Sequence, residues 1–103
     1  MNWMEFLDSV EIKQNPPEVL SPPLRALWYE RKGDWEEAHQ TAQSDESSDA
    51  AWVHAYLHRK EGDRGNARYW YHRADRPESR DTLDQEWENI ARQLLKLGDP
   101  SEL

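Results

Sequence analysis

The chain has 103 residues, a formal net charge of -8, 36% hydrophobic and 33% charged side chains, and no cysteine. That is one domain's worth of chain, burying roughly 65% of its unfolded surface in a single modest core. The charge disfavours nucleic-acid binding, whose affinity comes from phosphate neutralisation. The missing cysteines exclude disulfides, thiolate metal sites and a cysteine nucleophile. Six tryptophans and four tyrosines supply the large apolar surfaces that so polar a chain needs in order to fold.

Trp3, Phe6, Leu7 and Val10 recur at helical spacing and define a short helix within residues 1–14. Asn2 and Glu5 stand at capping-box spacing at its start. The pairs Pro16-Pro17 and Pro22-Pro23 then predict an irregular connection. Residues 24–43 read as a helical hairpin: a helix from Leu24 to Lys32, a Gly33-Asp34 stop and cap, and a second helix through Trp35, Ala38 and Ala42. Ser44 to Ser48 form a polar loop. Residues 49–76 repeat the pattern, with Trp52, Val53, Tyr56 and Leu57 inward, Gly62-Asp63 as the turn, and Ala67, Trp70, Tyr71 and Ala74 in the partner helix. Residues 81–98 open with Thr82 and Gln85 at capping-box spacing. They carry the stripe Leu83, Trp87, Ile90, Leu94 and Leu97, ended by Gly98 and Pro100. This last helix is expected to cap the second hairpin.

The glycine–aspartate turns lie twenty-nine residues apart, and that offset also aligns Ala26 with Ala55 and Ala38 with Ala67. These residues resemble the tetratricopeptide repeat, in which two antiparallel helices meet at such a turn, with a small residue where the backbones approach. Ala74 matches the small position at the end of the second unit; Asp45, its counterpart in the first, does not. The resemblance covers about half the chain, and its spacing is shorter than the family's usual 34 or so residues. The stretches AWVHAYLHRKEGD and NARYWYHRA also look like those of a small family of uncharacterised microbial proteins. The fold expected is all-α in a single domain over 1–103: two stacked helix-turn-helix units flanked by an N-terminal helix and a C-terminal capping helix.

The resemblance implies a non-enzymatic module that binds a protein or peptide partner, or a second copy of itself. Its ligand face would be lined by the first helix of each unit: Leu27, Glu30 and Arg31 from one, and Asp49, Trp52, Tyr56, Arg59 and Lys60 from the other. Arginine and lysine beside aromatic rings can hold a peptide carboxylate by charge-assisted bonds. Tyr69, beside Trp70 and Tyr71, would add an exposed aromatic patch. The alternative is a metal-binding protein or small metal-dependent enzyme using zinc or another divalent ion. His54 and His58 are four residues apart on one helix face, with Glu61 one turn further and His39 and His72 on neighbouring helices. Arg68, Arg73, Arg76 and Arg80 form the one local basic run. There is no phosphate loop and no G-x-S-x-G elbow. Without a basic, apolar leader or a membrane-length apolar run, a cytoplasmic location away from membranes is expected.

Overall fold

The computed structural model describes residues 1–98, and among these it is all-α, without a strand. The helices are α1 (Trp3–Ile12), α2 (Pro22–Arg31), α3 (Trp35–Gln43), α4 (Ser48–Lys60), α5 (Arg64–Arg73) and α6 (Leu83–Gly98). The side chain of Leu97, and Pro100, expected in the last stripe and its stop, lie outside the described residues. None of the described helices is long and apolar enough to cross a membrane.

Local chemistry sets most of the helix ends. Asn2 and Glu5 form a reciprocal capping box on α1, and Thr82 and Gln85 do the same at the start of α6. One boundary differs from expectation: Pro22 and Pro23 open α2 instead of preceding it. First-turn amides have no intrahelical acceptor, so proline loses nothing there and brings a helical φ. Ser47 caps α4 through a bond from the Ala50 amide at 3.1 Å, starting the helix a residue before Asp49.

The two turns are copies of each other in geometry as well as sequence. Gly33 and Gly62 have φ of +91° and +88°. Behind each, the aspartate amide bonds back to the first helix, Asp34 to the Tyr29 carbonyl and Asp63 to that of His58. Each aspartate then caps the following helix, accepting from Glu37 and Asn66 respectively. The same stop occurs a third time after α5, with Asp75 at φ 56° in the glycine position and Arg76 bonding back to the Tyr71 carbonyl.

α2 pairs with α3 and α4 with α5, and the two hairpins stack through α3 against α4 and α2 against α4. The position of α6 departs from expectation. It packs across α1, α2 and α4, lying over the first helices of both hairpins instead of extending the stack past α5. The tie is chemical as well as apolar. Trp87, only 2% exposed, sends its indole N–H to the Leu27 carbonyl at 3.1 Å. Trp28 reaches Ser9 at 3.1 Å, and Trp35 reaches the Leu57 carbonyl at 2.9 Å. Two buried indoles and the half-buried one of Trp35 thus pin three pairs of elements, each bond worth about 1 kcal/mol net.

A Cβ at Gly33 or Gly62 meets no atom within 4 Å, so alanine there would be disfavoured by backbone strain alone. Gly33→Ala and Gly62→Ala are each expected to lower unfolding free energy by about 1 kcal/mol. Asp75→Gly relieves the same strain and is expected to raise it by about 0.5–1 kcal/mol. Urea denaturation of the three variants checks both signs, and a stabilised Gly62→Ala would refute the account of the turns.

Candidate metal centre

Helix α4 is buried from Ala50 through His58 without interruption, because α2, α3, α5 and α6 all pack around it. Its two histidines are therefore interior side chains, 2% exposed at His54 and 8% at His58. They face the second helices of the two hairpins. His54 stacks on Trp70 of α5 at 3.8 Å between centroids, and His39 of α3 stacks on Trp35 at 4.9 Å. The three imidazoles converge between these indoles. His54 Nε2 and His39 Nε2 are 2.9 Å apart, and one nitrogen from each of His39, His54 and His58 falls within 4.8 Å of the others.

Glu61, one turn after His58, lies against that ring. It does not join the three histidines as a donor; its Oε1 accepts from His58 Nδ1 at 2.6 Å. A carboxylate offers only acceptors, so the proton of the neutral ring sits on Nδ1 and its lone pair on Nε2. This carboxylate–imidazole contact is the usual outer support of a metal-bound histidine. A second close group, His58 with Glu61 and Asp63, adjoins the first. His72 is exposed on α5 and belongs to neither.

Burial, followed by the neighbouring His39 and His58 rings, pushes the His54 pKa down to about 3. His39 is lowered too, by burial and then by His58, against smaller opposing contributions from Glu61 and Glu36. Asp63 is held below the usual carboxylate range by hydrogen bonds from the Asn66 backbone and side chain. At neutral pH His54 and His39 thus present lone pairs, the form that ligates metal.

The residues expected to line a peptide groove are placed otherwise. Trp52 and Tyr56 are buried, 5% and 1% exposed, and α6 covers their side of α4. Arg59 donates to the buried Glu86 at 2.8 Å and to the Asp81 carbonyl, while Tyr71 donates to the other Glu86 oxygen. Lys60 pairs with buried Glu30, whose second oxygen has no partner among the described residues. Arg31 lies 4.0 Å over the Trp87 ring and 3.3 Å from Asp84. Of the remaining two, Asp49 is half-buried and Tyr69 is exposed beside Arg73. The basic run is dispersed: Arg76 covers Trp52 at 3.8 Å, Arg73 lies near Trp70, and Arg68 meets Glu78. Comparison with protein-family models, with curated proteins and with solved structures finds no match to this chain.

Arg59 is accordingly a folding residue. Arg59→Ala leaves the Glu86 carboxylate buried and half-satisfied, and is expected to lower unfolding free energy by about 3 kcal/mol. Calorimetry of Arg59→Ala beside Arg59→Met/Glu86→Leu checks this, since removing both charges should restore part of the loss. The depressed His54 pKa sets a sign for pH. The unfolded ring binds a proton that the folded ring excludes, so this contribution is complete above about pH 6.5 and fades as pH falls toward 3. In chelator, the urea midpoint should drop between about pH 7.5 and 5.0. His54→Phe, which keeps an aromatic ring on Trp70, should show a shallower drop; an identical slope would discard His54 as its source.

Proposed function

We propose that the chain is a metal-binding protein whose His39, His54 and His58 hold one divalent ion of the zinc class. The observation that carries this reading is the convergence of three imidazole nitrogens, contributed by two hairpins, within 4.8 Å of one another. The donor set favours borderline first-row ions, zinc foremost, because it is all nitrogen and no thiolate exists in the chain. The His39–His54 pair is close to the size an ion requires, since two nitrogens bound at about 2.05 Å to a tetrahedral ion stand about 3.3 Å apart. The His58 nitrogen, within 4.8 Å of the others, would close on them by ring rotation. His39 and His54, at 2.9 Å, need to separate by only a few tenths of an ångström, well within a small ring rotation. The ion would replace the hydrogen bond between the two nitrogens, the ring that donates it moving its proton to its own Nδ1.

Each outer support has a physical job. Glu61 fixes the His58 tautomer, and Trp35 is itself anchored through its bond to the Leu57 carbonyl. A metal-bound imidazole is electron-poor, so stacking on the electron-rich faces of Trp35 and Trp70 strengthens when the ion binds. The peptide-groove reading draws less support, since Trp52 and Tyr56 are buried and Arg59 and Lys60 are paired within the fold.

Calorimetric titration of chelator-treated protein with zinc chloride is expected to give one site per chain, micromolar or tighter. His39→Ala and His54→Ala should each weaken it by at least about 100-fold. Glu61→Gln should weaken it by about 10-fold, the usual effect of losing an outer carboxylate, and His72→Ala should leave it unchanged. Absent binding, or equal affinity in a variant lacking all three imidazoles, would end the proposal.

A further inference from the structure

Resting on the zinc reading above, we infer that the ion keeps one exchangeable coordination position. We further infer that this position takes neutral oxygen or nitrogen donors, such as an amide carbonyl or an amine, in preference to anions. The first half follows from the donor count. Among the described residues no fourth imidazole or carboxylate joins the His39, His54 and His58 group. Glu61 and Asp63 group with His58 and not with the three imidazoles together, and Glu61 is engaged with His58 Nδ1. Zinc with three protein ligands carries water or a substrate atom at the fourth position, whereas a closed structural site supplies all four ligands from the chain.

The surroundings say where that position opens and what it admits. Trp70 lies against His54 at 3.8 Å and Trp35 against His39 at 4.9 Å, closing two sides of the cluster. His54 and His58 are buried, while His39 is half-buried and is the ring that meets solvent. The rim on that side is acidic. Glu36 is exposed one helical turn before His39, the Glu61 side chain is 38% exposed, and Asp63 is half-buried beside His58. The ion's charge draws an anion in, but three carboxylates in a chain of net charge -8 oppose that draw, whereas an uncharged donor binds without meeting their repulsion. The water at the fourth position also finds acceptors there, so a polar, uncharged group with a hydrogen to donate suits the rim.

Cobalt(II) in place of zinc makes the position visible, because four-coordinate cobalt absorbs strongly in the visible range and its bands move when a ligand exchanges. The chelator-treated full chain, loaded with one equivalent of cobalt, is titrated with imidazole as the neutral donor and with sodium azide as the anion. Both should shift the bands saturably, imidazole at the lower concentration. In Glu36→Gln/Asp63→Asn, which keeps the α5 cap, azide affinity should rise on the order of fivefold while imidazole affinity stays level. Bands unmoved by either probe would overturn the open position and leave the zinc reading standing. Azide binding as tightly as imidazole, unaltered in the double variant, would overturn the preference for neutral donors. A wild-type chain with no intense visible absorption would remove the zinc reading and this inference together.

Discussion

The enclosure of α4 is the constraint on which the remainder of the molecule depends. A helix packed on one face can send its polar side chains to water, but α4 has neighbours on every side over Ala50 to His58. Polar groups on such a helix must find partners inside or cost several kcal/mol each. The three ends of that problem are solved differently. Toward α6, Arg59, half-buried just past the enclosed stretch, answers buried Glu86. Toward α2, exposed Lys60 answers buried Glu30, leaving one carboxylate oxygen without a partner among the described residues. Toward α3 and α5 the polar groups are His54 and His58, and their partners are other aromatic rings, His39 and Glu61.

What the sequence made legible follows the same division between local and tertiary causes. The capping boxes at Asn2 and Thr82 and the two glycine–aspartate turns obey rules that operate within four or five residues, so spacing alone located them. Prolines were misplaced only by a turn, because Pro22-Pro23 is equally compatible with a connection and with a helix start. The seat of α6 was not legible. An amphipathic stripe through Trp87, Ile90 and Leu94 announces that one face is buried and says nothing about which surface buries it. That gap decided the functional expectation. Trp52 and Tyr56 fit a core stripe and a ligand face equally well until the element lying across them is known.

The histidine site was half legible for a related reason. The four-residue spacing of His54 and His58 is a helical fact, and it placed both rings on one face. That His39 completes the group while His72 does not depends on the hairpin packing angle, which no local pattern encodes. The role of Glu61 shows the limit from another direction. Its position one turn after His58 brings it within reach of the ring, but reach does not distinguish a metal ligand from a carboxylate that orients one. The 2.6 Å contact to Nδ1 places the carboxylate against the ring, a geometry that spacing alone does not supply.

These placements join the site to the fold. His39 belongs to the first hairpin and His54 and His58 to the second, so an ion held by all three bridges the two units at the seam between α3 and α4. Two units are fewer than a stacked helical array generally needs, and α6 supplies the missing apolar cover on the α2–α4 side. On the opposite side the cover is the aromatic–imidazole layer of Trp35, His39, His54, His58 and Trp70. Without an ion, that layer brings three ionisable rings within about 5 Å of one another and tolerates them by keeping His39 and His54 uncharged. An ion that bound the folded arrangement and not the unfolded chain would convert the layer from a tolerated burial of polarity into a source of stability. The same residues would thereby serve the fold and the proposed site, since the uncharged rings that make the fold acid-sensitive are the form that ligates metal.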